Sequence, residues 1–133
     1  QLLNILRGQM SFVGPRPLTP RNFALYDDET QKVVSCLKPG LTGIGSIIFR
    51  EEEAIISSSS KDAIDCYRDD ISPFKGEAEK WYSENQSFSV YLLMILITAW
   101  VVVFPKSKSV WNFFPDLPVP PKSLQKHLNY TVR

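Results

Sequence analysis

The sequence predicts a mixed α/β fold, mainly helical, with a small β element. Capping residues precede apolar residues at helical spacing in several short segments. Two stretches, residues 10–13 and 41–49, read as extended pieces bounded by Gly and Pro. A run over residues 88–104 carries no charged side chain at all. With 133 residues, the chain is sized for a single core. Its 44% hydrophobic and 22% charged content is that of a folding chain.

Taken in order, Leu2, Leu3, Ile5 and Leu6 followed by Gly8 form a helix stopped by glycine. Residues 10–13 are a short extended piece. In Gly14-Pro15-Arg16-Pro17 the prolines fix φ and hold Arg16 extended between them. Thr19 caps a helix with Pro20 at its first position, carrying Phe23, Ala24 and Tyr26. A second short helix covers residues 29–35. Lys38-Pro39-Gly40 has Pro and Gly where a type II turn needs them. Residues 41–49, with Gly43 and Gly45, read as a loop running into a strand that ends at Arg50. Residues 57–60 are a serine linker, and Ser59 and Asp62 have capping-box spacing. The following helix sets Ala63, Ile64, Tyr67 and Ile71 on one face. Ser72 caps the next, with Pro73 first and Phe74, Ala78, Trp81 and Tyr82 on the buried stripe. Beyond Pro115, Pro118, Pro120 and Pro121 favour an extended tail.

The net charge of +1 excludes a generally basic nucleic-acid binder. It conceals three zones. Residues 1–50 hold six Lys/Arg against three acids, residues 51–84 four against ten, and residues 106–133 five against one. The basic first zone can attract an anion or simply be surface variation. Two cysteines, Cys36 and Cys66, and one histidine, His127, are too few for a closed zinc site or a disulfide framework. Nucleophilic triads would need His127, which stands in a polar tail.

Three cations are candidates for anion binding. A guanidinium fork clamped between prolines loses little backbone freedom on engaging phosphate, so Arg16 either does so or satisfies loop carbonyls. Arg50 closes the stretch in which Gly40, Gly43 and Gly45 let a backbone approach a ligand closely. No Walker or dinucleotide pattern is present. Glu51, Glu52 and Glu53 can reach a metal or form a solvated corner. Lys75 falls in the first turn of the Ser72–Pro73 helix, where the macrodipole disfavours a cation. It fits there beside an anion, or in a surface pair with Glu79 four residues on.

The apolar run over 88–104 sits at the lower edge of a bilayer-spanning length. Phe88, Tyr91, Trp100 and Phe104 mark it, and Lys106 and Lys108 follow. A buried core helix, a short spanning helix and an interfacial helix all remain open, and the missing charged face favours deep embedding or packing.

LLNILRGQMSFVGPRPLTP (2–20), LKPGLTGIGSIIFREEEA (37–54) and ISPFKGEAEKWYSENQSF (71–88), with the apolar run beyond, resemble the bacterial sugar transferase family. These are monotopic, membrane-associated polyprenyl-phosphate phosphoglycosyl transferases. The resemblance covers residues 1–104, a catalytic domain truncated at its N-terminus, and leaves 105–133 as an aromatic and proline-rich tail. It implies transfer of a sugar-1-phosphate from a nucleotide diphosphate sugar to polyprenyl (undecaprenyl) phosphate, starting capsule, O-antigen or exopolysaccharide synthesis. It further implies Mg²⁺, a covalent phosphosugar intermediate on an Asp-Glu pair, and a place at membrane lipid on the cytoplasmic face of the bacterial inner membrane. That pair belongs just upstream of Gln1, so neither the catalytic carboxylates nor the metal's ligand is expected in this chain, which should be inactive alone. Arg16, Arg50 and Lys75 match basic positions of the family and are implied to contact phosphate or nucleotide. Gly14, Pro15, Pro17, Pro39, Gly40 and Gly43 are implied to shape the loops. Residues 43–50 depart from the common GWAQVNGR pattern, so sugar preference does not carry over. The rival readings are a non-catalytic membrane-associated scaffold that binds a partner through residues 111–114, and a single-pass protein whose soluble part is residues 1–87.

Overall fold

The computed structural model describes residues 1–131. Short helices surround one two-stranded parallel sheet, the predicted class. Helix α1 (Leu2–Leu6) ends at Gly8, whose φ of 78° is open to glycine at little cost. Strand β1 (Ser11–Val13) pairs with β2 (Gly40–Thr42), setting Ser11 opposite Gly40 and Val13 opposite Thr42. Between them lie α2 (Pro20–Phe23) and α3 (Asp28–Ser35). Thr19 caps α2 by accepting from the Asn22 N–H, and Asp27 caps α3 by accepting from Thr30.

The expected Lys38-Pro39-Gly40 turn is not formed. Gly40 enters the strand without a positive φ, and its N–H donates to the Pro15 carbonyl at 3.0 Å. Glycine is required here for contact instead. A Cβ at Gly40 would run into the backbone of Val13 and Gly14, and one at Gly43 into the Gly14 carbonyl. The space that sequence reasoning reserved for a ligand is filled by the chain's own backbone.

The second expected strand is a helix, α4 (Ile44–Ile48). Its isoleucines favour strands locally, but Ile44, Ile47 and Ile48 also fall at i, i+3 and i+4, and all three are buried. Gly43, fully extended, starts the helix by accepting from the Ile47 N–H. Helix α5 (Glu52–Ser58) absorbs the first half of the serine linker.

Helix α6 (Ala63–Cys66), a π-turn (Tyr67–Ile71) and α7 (Ser72–Glu84) run on as one rod. Pro73 has no N–H for a regular helical bond, and the wider ring, closed by Ser72 N–H on the Tyr67 carbonyl, accommodates it. Ser72 is therefore buried inside the rod and caps nothing. The π-turn also rotates the residues before it. Cys66 and Tyr67 join Ile71 in the core, whereas Ala63 and Ile64 face outward. The capping box is likewise absent: Ser59 Oγ accepts from the Lys61 N–H, and Asp62 makes no side-chain cap.

Ser87 caps α8 (Phe88–Val103), whose 16 residues lie across the core. Met94, Ile97 and Val101 are buried, and Thr98 is hydrogen-bonded to Thr42 at 2.8 Å. The opposite side carries exposed Phe88, Leu92, Leu96, Trp100 and Val103. Among the described residues no helix is long and apolar enough to cross a membrane. At about 1.5 Å per residue, α8 is shorter than the roughly 30 Å hydrocarbon layer.

The tail folds back instead of extending. Helices α9 (Ser109–Phe113) and α10 (Lys122–Gln125) bring Val110, Trp111, Phe114, Leu117, Leu124 and Leu128 into the same core. Trp111 Nε1 donates to the Leu128 carbonyl at 3.0 Å. Trp111 and Phe114 are buried and Phe113 is 57% exposed, so of the aromatic side chains at 111–114 that the scaffold reading named, Phe113 faces outward.

Candidate functional site

Arg16, Arg50 and Lys75 line one cleft of ≈ 340 Å³, together with Ser46, Phe49, Glu52, Glu53 and Ile56. Four pieces of backbone meet there. The loop after β1 brings Arg16, held where Pro15 is buried and its carbonyl is fixed by Gly40. The end of α4 brings Phe49 and Arg50, α5 brings Glu52, Glu53 and Ile56, and α7 brings Lys75. The mutual contact of Gly14, Gly40 and Gly43 draws the first of these pieces against the second. Pro39 supplies the carbonyl that the Ser11 N–H bonds, and Pro17 is exposed next to Arg16.

The three cations differ in their surroundings. Arg16 is exposed and makes no hydrogen bond or ion pair with any other described residue. Arg50 is anchored: Nε donates to the Pro105 carbonyl at 2.7 Å, Nη1 to the Ile47 carbonyl at 2.9 Å and Nη2 to the Ser107 carbonyl at 2.8 Å. It ties the loop between α8 and α9 to the end of α4, the carbonyl-satisfying role that was open for Arg16. Burial pushes its guanidinium below the ordinary value, while Glu51 opposes the shift.

Lys75 is 7% exposed and lies in the middle of the α6–α7 rod, so neither the first-turn placement nor the surface pair holds. Its Nζ donates to Glu52 Oε2 at 3.1 Å and to the Tyr67 hydroxyl at 3.5 Å. The rings of Tyr67 and Phe49 stand 5.4 and 5.9 Å from it.

Behind Lys75 is Glu79, 3% exposed. One carboxylate oxygen is placed against Gly45, whose N–H it accepts, and Oε2 has no hydrogen-bond partner among the described residues. Burial pushes this carboxyl up to about 7, against the pull of Lys75 and the Gly45 N–H. Burial also raises the phenols of Tyr67 and Tyr26; Lys75 partly offsets the shift at Tyr67, and Glu79 adds to it at Tyr26.

Sequence reasoning placed Glu79 only in a surface pair with Lys75, and did not connect Glu52 with Lys75. The i, i+4 spacing of Lys75 and Glu79 was legible; the depth was not. Gly45 was the available signal, since any side chain there would collide with the Glu79 carboxylate.

The carboxylates of the cleft are Glu52, committed to Lys75, and Glu53. No group of three or more His, Cys, Asp and Glu among the described residues could hold a metal ion. These side chains do not by themselves make the magnesium site that the resemblance implies.

Comparison with known proteins agrees with the motifs. The profile of the bacterial sugar transferase family matches residues 1–105. The exopolysaccharide production protein ExoY of Sinorhizobium fredii is 40% identical over 67 residues, covering 50% of this chain and 28% of that protein. The uncharacterized sugar transferase EpsL of Bacillus subtilis is 33% identical over 98 residues, 74% of this chain and 40% of that protein. The undecaprenyl-phosphate galactose phosphotransferase of Salmonella typhimurium is 38% identical over 52 residues, 39% of this chain and 11% of that protein. The chain thus spans less than half the length of these relatives.

Proposed function

The chain belongs to the bacterial sugar transferase family, and from that premise we propose that it carries the phosphate-binding wall of a phosphoglycosyl transferase. The reaction is transfer of a sugar-1-phosphate from a nucleotide diphosphate sugar to polyprenyl phosphate at a membrane. One observation carries this reading: two arginines and a lysine, far apart in sequence, converge on one cleft, and Arg16 has no competing partner among the described residues.

In this reading the roles divide by geometry. Arg16, on a loop stiffened by prolines, presents its fork to the diphosphate. Lys75 supplies a point charge from the cleft floor, exchanging Glu52 for a phosphate oxygen. Arg50 holds the wall and offers the N–H groups not engaged by carbonyls. Buried cations stabilise developing phosphate charge more than they would in water. The nucleophilic carboxylate and the magnesium ligand are assigned outside these residues, as the family resemblance implies.

The outward apolar face of α8 supports placement against lipid, with the cleft near the headgroup level where a polyprenyl phosphate is reached. The cytoplasmic face of the bacterial inner membrane is the proposed location. The complete gene product, assayed with UDP-sugars and undecaprenyl phosphate, should form a lipid-linked sugar diphosphate and release UMP. No turnover with any nucleotide sugar would sink the reading.

A further inference from the structure

We propose that Glu79 is a proton-accepting group linked to occupancy of the cleft: when a dianion engages Lys75 and displaces Glu52, Glu79 takes up one proton from water. This rests on reading the cleft as a phosphate-class anion site.

The geometry supplies the coupling. Lys75 stands between two carboxylates, Glu52 on the cleft side and Glu79 on the core side. Glu52 is part-exposed, so once an anion takes Lys75 its carboxylate can turn to water. Glu79 is enclosed and, among the described residues, keeps only the Gly45 N–H as a hydrogen-bond donor. An arriving dianion adds negative charge next to a carboxylate that water cannot screen. Protonating Glu79 relieves that repulsion, and its otherwise unpartnered Oε2 can hold the proton.

The groups around Glu79 are few. From α7 itself come Lys75 and Tyr82, from the π-turn Tyr67, and from the loop before α3 Tyr26. From α5, Glu52 reaches it through Lys75. Helix α4 contributes the backbone N–H of Gly45. Lys80 is engaged elsewhere, with Asp27 and Glu29 at the start of α3. Each tyrosine has its phenol raised by burial, so Glu79 is the acid poised near neutrality.

Sulfate is the probe, because it does not itself titrate near pH 7. Calorimetry of the purified chain in two buffers of different ionisation heat reads proton uptake directly. At pH 7 the wild type should take up about half a proton per sulfate, since Glu79 is near half-ionised there. Sulfate affinity should fall by up to about tenfold per pH unit above 7. Glu79→Gln should abolish both effects. His127→Asn, a control for the sole histidine, should retain them. Sulfate binding that Lys75→Met abolishes, yet that takes up no proton in the wild type or the same proton in Glu79→Gln, overturns the linkage and leaves the anion cleft standing. No sulfate binding, or binding indifferent to Lys75→Met, overturns the cleft reading and the linkage together. If Glu79→Gln does not fold, the ¹³C shift of the Glu79 carboxyl in the wild type decides. Its midpoint must rise with sulfate, and an unmoved midpoint refutes the linkage.

Discussion

The floor of the cleft and the outer face of α8 invert the usual arrangement in opposite directions. At the floor, Lys75 and Glu79 are charged-type side chains withdrawn from water. On α8, Phe88, Leu92, Leu96, Trp100 and Val103 are apolar side chains left facing outward, with Phe88 80% exposed. Burying a charge costs free energy unless a partner compensates, and exposing an apolar stripe forgoes about 25 cal/mol per Å². Both regions therefore look outward for completion. In the proposed reading the floor exchanges Glu52 for an anion and the α8 face meets an apolar phase. The core, from Val13 to Leu128, needs neither.

Four comparisons would break or sharpen this contrast. The largest effect is expected on the inner side of α8. Met94→Ala removes a fully buried side chain and should cost about 2–5 kcal/mol in urea denaturation. Leu96→Ala, two residues on and 57% exposed, should stay within about 0.5 kcal/mol. Equal costs would mean that the outer face is covered within the chain.

Next is the pH dependence of stability. Glu79 has its folded-state value raised, to about 7 from 4.5, so the folded state holds the proton more tightly than the unfolded one. Stability should therefore fall as pH rises through that window and level off above it, by on the order of 3 kcal/mol in all. Denaturation curves of Glu79→Gln should lack this component. An unchanged pH profile would place the carboxylate in water.

Third, the two guanidiniums should separate. Arg50→Met deprives three carbonyls of their donors and should cost about 2 kcal/mol. Arg16→Ala should change stability by no more than about 0.5 kcal/mol, yet cut turnover of the complete gene product sharply. Matching stability losses would show that Arg16 is structural too. The smallest effect is expected at the α8 surface. Leu92→Ser with Leu96→Ser should leave folding intact and weaken binding to lipid vesicles about tenfold, from the lost apolar area. Undiminished vesicle binding would assign membrane contact to another face.

Much of the molecule was legible locally. Thr19 with Pro20, and Gly8 after four apolar residues, announce helix ends through groups that touch only their neighbours. Residues 88–104 announce an apolar helix. Ile44–Ile48 did not announce itself, because β-branched residues suit a strand and a buried helix alike. Ser72 misled for a different reason: a Ser-Pro pair usually starts a helix, and here a π-turn carries the rod through it. At the site, the identity of Arg16, Arg50 and Lys75 as basic positions was readable, but their surroundings were not. Arg50 meets carbonyls 55 and 57 residues away, at Pro105 and Ser107. Lys75 meets Glu52, 23 residues back.

The sequence by itself determined the class and the family and marked Arg16, Arg50 and Lys75 as candidates, because caps, prolines and spacing act over a few residues and motifs survive as strings. Only the tertiary structure decided which cation is anchored and which is available, and that Glu79 lies under the cleft instead of in solvent. Those outcomes depend on depth and on partners distant in the chain, and both arise only when the elements pack.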